Sequence, residues 1–175
     1  MIDKNELIFA VDENNQPIEP VERQKAHAEG IWHRTTDVIV LNLKNEILCN
    51  KRSIHKDNSP GKWDVYFGGN LLAGTESIQG ALRELEEETG LKAEESDLEF
   101  QFIDKTSSKG NKNNEFTYVY IYRWNGELSD LKLEIEEIDE AKWIGVSALL
   151  DEYRNDMAQK WTHPPYVEKL LNYLV

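Results

Sequence analysis

Residues 69–91 read Gly69-Asn70-Leu71-Leu72-Ala73-Gly74-Thr75-Glu76-Ser77-Ile78-Gln79-Gly80-Ala81-Leu82-Arg83-Glu84-Leu85-Glu86-Glu87-Glu88-Thr89-Gly90-Leu91. The apolar residues Ile78, Leu82 and Leu85 recur at helical spacing, which predicts a helix over residues 77–89. The residues of this helix give the strongest indication of the fold and of the function.

Three glutamates of the predicted helix share one face, because Glu84, Glu87 and Glu88 stand at positions i, i+3 and i+4. Like charges at this spacing repel by about 0.2–0.5 kcal/mol per pair on an exposed helix. Carboxylate clusters are what hard divalent cations such as Mg²⁺ bind, so the face predicts a metal site. On spacing alone, a solvated acidic helix is an equal alternative.

The residues flanking the glutamates favour the metal site. Segment 69–91 resembles the Nudix box, G-x5-E-x7-R-E-U-x-E-E-x-G-U, in which U is apolar. The matching positions are Gly69, Arg83, Glu84, Leu85, Glu87, Glu88, Gly90 and Leu91. One position differs, since Thr75 stands where the box has its first Glu and Glu76 comes one residue late. In the family that Glu supports the loop and its Arg, so the resemblance implies an altered loop and an intact metal site. Thr75 also suits the N-cap of the helix.

Length and composition predict one globular domain, residues 1–175, with an N-terminal hairpin and extension over 1–31. Apolar residues make up 39% and charged residues 30% of the chain, and the net charge is −13. That charge argues against general binding to nucleic-acid backbone or to an anionic membrane. The single cysteine, Cys49, excludes an internal disulfide framework and a cysteine-rich zinc site. Without a signal peptide or a long apolar run, we expect the cytoplasm.

Hydrophobic patterning along the chain predicts strands alternating with helices. The predicted strands are 7–11, 36–43, 46–52, 63–72 with a break at Gly68-Gly69, 98–106, 115–124 and 141–145. The predicted helices are 21–29, 77–89, 146–153 and 166–174. A sheet covered on both faces gives a three-layer α/β/α sandwich. The Nudix resemblance implies the same α/β class, with a mixed sheet.

The resemblance extends outside the box to the Nudix branch that contains isopentenyl diphosphate isomerase. It is carried by segments 30–34, 50–53, 60–64 and 141–144. In the isomerase, a Cys and a metal-binding His are spaced Cys-Gly-His, whereas this chain has Gly68 and Asn70 at those two positions. His27, His33 and Glu115 resemble other metal ligands of the isomerase. Protonating a double bond needs an acid and a base, and Gly68 supplies neither, so isomerase activity is not expected.

Hydrolysis of a diphosphate is the activity that the resemblance implies, on a nucleoside diphosphate linked to some group X. Glu84, Glu87 and Glu88 would hold one to three Mg²⁺ ions, with Mn²⁺ as a substitute, and would thereby be catalytic. The carbonyl of Gly68 would add a metal ligand, and Gly69 would let the backbone approach closely. Arg83 lies four residues before Glu87, so we expect it to hold a carboxylate in place.

Four residues are candidates for further roles, and three of them have a structural alternative. Arg52 is predicted to clamp phosphate, or else to form a surface ion pair. His33 is predicted to contact substrate or metal, or else to be a hydrogen-bonded structural residue. Trp63 is predicted to stack on a flat group of the substrate, or else to anchor the core. Glu115 is predicted to be a further metal ligand or the general base, with Glu137 as a minor candidate for the same role.

Two other classes of function stay open at this stage. The protein could be a diphosphate-binding or nucleotide-binding module that has lost turnover, which the departure at Thr75 favours. It could also be an interaction domain in which the acidic helix only aids solubility. The expected partner is a small diphosphate compound, and a homodimer stays open. The sequence leaves group X undetermined, because specificity resides in loops.

Overall fold

A seven-stranded mixed sheet organises the computed structural model, which describes residues 6–56, 58–108 and 113–175. The strands are β1 (Leu7–Ile8), β2 (Val21–Glu22), β3 (His33–Leu41), β4 (Glu46–Arg52), β5 (Trp63–Asp64), β6 (Phe67–Asn70), β7 (Leu98–Ser108), β8 (Asn113–Arg123) and β9 (Ile138–Gly145). The helices are α1 (Arg23–Glu29), α2 (Ser77–Thr89), α3 (Val146–Arg154) and α4 (Val167–Leu174). The first five residues of the predicted N-terminal extension lie outside the described residues.

Strand β3 lies at the centre of the sheet. The strand order is β5-β4-β3-β8-β7, with β6 also paired to β3 and β9 to β4. The long β3–β8 pairing is parallel, from His33 opposite Glu115 to Leu41 opposite Arg123, and the other pairings are antiparallel. A parallel pair needs a long crossover, and here residues 42–112 supply it. The β1–β2 pair forms a small sheet of its own, and the Phe9 N–H donates to Leu71 O at 2.7 Å and so connects it to the segment after β6.

Helices cover both faces of the sheet. Alternate residues of a strand point to opposite faces, so Val38 and Val40 contact α2 while Ile39 and Leu41 contact α3 and α4. The α2 side buries Phe67, Ala81, Leu85 and Tyr120. The opposite side buries Val119, Ile121, Leu149, Leu170 and Leu171. The predicted three-layer α/β/α sandwich with a mixed sheet is confirmed.

The segment before α4 is tied to the middle of the molecule. Trp63 donates its backbone N–H to Lys160 O at 2.9 Å, and Thr162 donates its backbone N–H to Trp63 O at 2.9 Å. The Tyr166 hydroxyl donates to the Asp37 carboxylate on β3. Residues 160–166 therefore form a wall beside the polar end of β3.

The structure differs from the predicted elements at several boundaries. Strand β3 begins at His33, three residues earlier than expected, because His33 to Thr35 already pair with β8. Strand β6 runs through Gly68-Gly69 without a break, since both glycines pair with β3. Helix α2 spans the predicted residues, but its N-cap residue is Glu76 and no side chain caps it, so the expected Thr75 cap is wrong. No helix in the described ranges is long and apolar enough to span a membrane.

Candidate active site

A polar cavity of about 770 Å³ opens between α2, α1 and the segment 162–166 that precedes α4. Its floor is formed by β3, β6 and β8, and its walls include the acidic face of α2. The predicted site residues that line it are Arg52, Gly68, Gly69, Arg83, Glu84, Glu87, Glu88 and Glu115. Residues that are far apart in the sequence therefore line the same cavity.

The carboxylates of α2 that face this cavity, Glu84, Glu87 and Glu88, are called the glutamate wall below. Arg83 holds two of them, with Nη1 2.9 Å from Glu87 Oε2 and Nη2 2.5 Å from Glu84 Oε1. The same Nη2 donates to the Asn70 carbonyl at 3.1 Å and so connects α2 to β6. This geometry agrees with the predicted role of Arg83 as the residue that positions carboxylates.

Burial sets the acidity of the glutamate wall. It raises the pKa of Glu84 to about 7, with Arg83 opposing and Glu87 adding to the rise. Burial also raises the pKa of Glu88 to about 8, with the Glu84 carboxylate adding to the rise, although the Gly68 N–H donates to Glu88 Oε2 at 3.2 Å. Desolvation and like charge both disfavour the ionised form. The negative charge of the glutamate wall therefore exceeds the positive charge of the cations around it.

The glutamate wall offers carboxylate oxygens, which are ligands that suit a hard divalent cation. The backbone of Gly68 and Gly69 in β6 approaches these carboxylates closely. A Cβ on Gly69 would lie 2.9 Å from the Glu84 carboxyl carbon, and one on Gly68 would overlap the Thr36 carbonyl oxygen. As the side chains stand, no three His, Cys, Asp or Glu residues within the described ranges are grouped closely enough to hold a metal ion. Arg83 and Gly68 engage the carboxylates instead, so binding a cation requires side chains of the wall to turn.

Two cations, Arg52 and Lys56, also line the cavity. Arg52 Nη1 lies 2.8 Å from Asp64 Oδ2, and its Nε donates to Asn58 O at 3.1 Å. Lys56 forms an ion pair with Glu137. Both cations line the cavity, and the contact of Arg52 with Asp64 is the ion pair of the structural alternative, so the phosphate clamp at Arg52 stays a prediction. Lys56 was missed in the sequence, because a lysine in a polar loop carries no positional signal.

His33 and Glu115 form a buried pair on neighbouring strands. His33 Nε2 lies 3.5 Å from Glu115 Oε1, and His33 Nδ1 lies 2.9 Å from the Ile31 carbonyl oxygen. Burial opposes ionisation of Glu115, but the neighbouring His33 and Asn113 side chains outweigh it and hold the pKa of Glu115 below its usual value. His33 is fully buried behind Glu115, so its geometry agrees with the structural alternative, in which it orients the glutamate. The His27 ring stands 4.9 Å from the His33 ring and reaches the cavity.

Trp63 lies in the core on the α3–α4 side and does not line the cavity. Its ring is 6.2 Å from that of Trp161, and Lys142 Nζ stands 4.1 Å from its centroid. This placement agrees with the core-anchor alternative and gives no support to substrate stacking.

Asp37 is buried at the cavity floor and was not predicted as a site residue. Burial raises its pKa well above the usual value, although the hydrogen bond from Tyr166 opposes the rise. The signal that could have found it is alternation, since His33, Thr35 and Asp37 are polar on the face where Ile39 and Leu41 are apolar.

Comparison with known proteins gives the family of the chain. The NUDIX domain model matches residues 31–165. Nudix hydrolase 3 of Arabidopsis thaliana is 34% identical over 83% of this chain, and the match spans 19% of that plant protein. An uncharacterized Nudix hydrolase of Pseudomonas aeruginosa is 31% identical, covering 86% of this chain and 85% of that protein. An isopentenyl-diphosphate Delta-isomerase of Burkholderia multivorans is 25% identical, covering 83% of this chain and 81% of that protein.

Solved structures agree with the fold. A crystal structure from Deinococcus radiodurans has a TM-score of 0.73 at 20% identity, covering 97% of this chain and 99% of that one. A bifunctional NMN adenylyltransferase/ADP ribose pyrophosphatase of Francisella tularensis, complexed with AMP and a Mn ion, has a TM-score of 0.60 at 17% identity and covers 81% of this chain and 42% of that one. Together with the sequence matches, these findings show that the chain belongs to the Nudix family, among relatives that include both Nudix hydrolases and isopentenyl-diphosphate isomerases.

Proposed function

We propose that the protein hydrolyses a diphosphate linkage in a small organic substrate and uses a divalent cation to do so. The observation that carries this proposal is the glutamate wall. Glu84, Glu87 and Glu88 face the same cavity as Arg52 and Lys56. A diphosphate needs positive charge around its oxygens, and a chain with a net charge of −13 supplies that charge only locally.

Glu84, Glu87 and Glu88 are the residues that would hold the cation, with the Gly68 carbonyl as a further oxygen ligand. When bound, Mg²⁺ or Mn²⁺ would neutralise charge on the diphosphate and lower the pKa of a coordinated water. Manganese receives support from the Francisella tularensis neighbour, whose structure contains AMP and a Mn ion. That neighbour is also named as an ADP ribose pyrophosphatase, which supports diphosphate cleavage as the reaction class.

The side chains of this chain have separate tasks in the proposed reaction. Arg52 and Lys56 bind the phosphate oxygens, the first through a planar guanidinium that fits two oxygens at once. Arg83 keeps Glu84 and Glu87 oriented. Glu115 is the candidate base, since its carboxylate is ionised, lines the cavity and is held by His33.

The experiment is a panel of organic diphosphates incubated with purified protein and either Mg²⁺ or Mn²⁺, in water enriched in ¹⁸O. We expect two phosphate-containing products from at least one compound, with one ¹⁸O atom in one of them. Boiled protein and an EDTA sample serve as controls. Metal binding without any product across the panel would contradict hydrolysis and favour the binding module.

Isomerase activity is the second candidate, because isomerase-named relatives match most of the chain. Gly68 and Asn70 lack the acid and the imidazole that the isomerase carries at these positions. We therefore expect no interconversion of isopentenyl and dimethylallyl diphosphate above a no-enzyme control. Clear interconversion would sink the hydrolase assignment.

A further inference from the structure

The floor of the cavity away from the glutamate wall is a patch of polar side chains on one sheet face. Thr35 of β3 pairs with Thr117 of β8, and Glu115 of β8 pairs with Thr106 of β7, so these side chains share that face. Asn113 of β8 and His27 of α1 complete the group, which is called the polar trough below. All of its members line the cavity: His27, Thr35, Thr106, Asn113, Glu115 and Thr117.

The same sheet face is apolar further along both strands. Beyond Asp37 on β3 come Ile39 and Leu41, and beyond Thr117 on β8 come Val119 and Ile121, all packed under α3 and α4. The trough is therefore the part of this face that faces the cavity and not the helices. Buried sheet surface is normally apolar, so a run of hydroxyl, amide and carboxylate groups here indicates a polar occupant.

Unused hydrogen-bonding groups surround the cavity. Seven buried side-chain atoms lack a partner within the described ranges, and four of them belong to cavity-lining residues. Those four atoms are Arg23 Nε, Asn70 Oδ1, Arg83 Nε and Asn113 Oδ1. In the trough, the Thr35 hydroxyl donates to Thr117 Oγ1 at 2.9 Å, a bond that does not use the proton of the Thr117 hydroxyl. Because buried polar groups are nearly always hydrogen-bonded, these atoms point to a ligand that donates and accepts.

The lining offers little to an apolar or flat substituent. Among the described residues that line the cavity, the only side chains with large apolar surface are Pro164, Pro165, Tyr66 and Tyr166, and none is Phe or Trp. Tyr166 is 4% exposed and its hydroxyl is engaged by Asp37, so its ring is not free to stack on a base. An isoprenoid chain would leave the trough unpaired, which disfavours its binding.

We propose that the polar trough holds a hydroxyl-rich group, a sugar or another polyol, that forms the X part of the diphosphate substrate. The inference rests on the proposed function and narrows it. Sugar hydroxyls both donate and accept, so they match the threonine hydroxyls, the Asn113 amide and the Glu115 carboxylate. Arg52 and Lys56 line the same cavity outside the trough and receive the diphosphate.

The test compares substrates that differ only in X. UDP-glucose and ADP-ribose are each assayed against the ethyl ester of the same nucleoside diphosphate, with geranyl diphosphate as the apolar probe. We expect at least one sugar compound to exceed its ethyl ester by about tenfold in kcat/KM. Equal or faster turnover of the ethyl esters, or of geranyl diphosphate, would overturn the inference.

Two variants test whether the preference for the sugar compound depends on the polar trough. Thr117→Val keeps the shape and removes the hydroxyl, and we expect it to raise KM for the sugar compound about three- to tenfold while the ethyl ester is unaffected. Thr36→Val is the matched control, because Thr36 is buried on the opposite sheet face and its hydroxyl donates to Tyr118 O at 3.3 Å. Equal effects of the two substitutions would contradict a specific contact.

Binding separates this inference from the proposed function. Calorimetry in EDTA measures the affinity of each sugar compound and of its ethyl ester without turnover. A sugar preference in binding together with no turnover in any metal would contradict hydrolysis and uphold the trough. Turnover with no sugar preference in either measurement would uphold hydrolysis and contradict the trough.

Discussion

The glutamate wall and the polar trough line one cavity, but their carboxylates differ in pKa. The pKa is raised in the wall and lowered in the trough. In the wall, burial raises the pKa of Glu84 to about 7 and that of Glu88 to about 8. In the trough, His33 holds the pKa of the buried Glu115 below its usual value. A carboxylate cluster short of cations is suited to receive one, whereas a balanced carboxylate is suited to accept hydrogen bonds. The comparison assigns cation binding to the wall, and it assigns the recognition of X to the trough, which also contains the candidate base Glu115.

Removing one carboxylate from the wall has the largest expected effect. Glu87→Gln and Glu88→Gln should each lower kcat by about 100-fold or more, because each removes charge from the proposed metal site. Steady-state kinetics of the best panel substrate measures this, with circular dichroism to confirm folding.

The matched control is Glu86→Gln on the same helix. Glu86 points away from the cavity and pairs with Lys92 at 3.3 Å, so its kcat should stay within about twofold of the parent. If Glu87→Gln and Glu88→Gln retain full activity, the metal site lies elsewhere and the comparison fails.

The second largest effect is expected from adding a methyl group at Gly68. A Cβ on Gly68 would overlap the Thr36 carbonyl oxygen and lie 2.8 Å from Asp37 Oδ1. Gly68→Ala should therefore lower the free energy of unfolding by about 1–3 kcal/mol, and activity should fall as β6 shifts. Urea denaturation measures the change.

Gly145→Ala is the control for this substitution, since nothing lies within 4 Å of the added Cβ and its φ of −59° suits alanine. We expect it to leave the unfolding free energy within about 0.5 kcal/mol of the parent. Equal stability of the two alanine variants would show that the close approach at Gly68 is not required.

The dependence of stability on pH tests the contrast in acidity. In the folded metal-free protein Glu84 and Glu88 keep protons that the unfolded chain, with the ordinary glutamate pKa of 4.5, has already released. The folded state binds more protons across this window, so stability falls as the pH rises towards 8. In EDTA we expect Tm to drop by about 2–6 °C between pH 6 and pH 8.

Glutamine variants assign this pH dependence to a region. Glu88→Gln should flatten the drop, because it removes the group with the higher pKa. Glu115→Gln should leave the slope between pH 6 and pH 8 unchanged, since the lowered pKa of Glu115 puts its titration below that window. A Tm that rises with pH in EDTA, or a slope lost in Glu115→Gln, would reverse the assignment of the two regions.

The smallest expected effect is at Thr75, the one departure from the box. Thr75 is half-buried and does not cap α2, and Glu76 is exposed. Thr75→Glu restores the glutamate that supports the Arg of the Nudix box, so activity should stay level or rise, and stability should change by no more than about 1 kcal/mol.

Measuring hydrolysis and Tm for Thr75→Glu beside Glu76→Ala completes this test. Glu76→Ala should be close to neutral, because the exposed Glu76 side chain makes no contact that the wall depends on. A large loss of activity in Glu76→Ala would show that this residue replaces the missing glutamate of the box.

The sequence predicted best what local spacing determines. Helix α2 has the predicted bounds, and its glutamates face the cavity, because helical periodicity is a property of neighbouring residues. The polar trough was missed because it depends on which strands pair. Thr35 and Thr117 lie 82 residues apart and meet only through the parallel β3–β8 register. Trp63 shows the same limit, since a Trp after a Pro-Gly turn reads alike whether it faces a ligand or the core.

The hydrogen bond from Tyr166 to Asp37 has a consequence for the order of events during synthesis. Arg23 and His27 line one side of the cavity, and residues 162–166 line another, although nearly 140 residues of chain separate them. A nascent chain that has made the sheet and α2 therefore still lacks a side of its binding site. The cavity is therefore complete only after residues 162–166 have emerged from the ribosome.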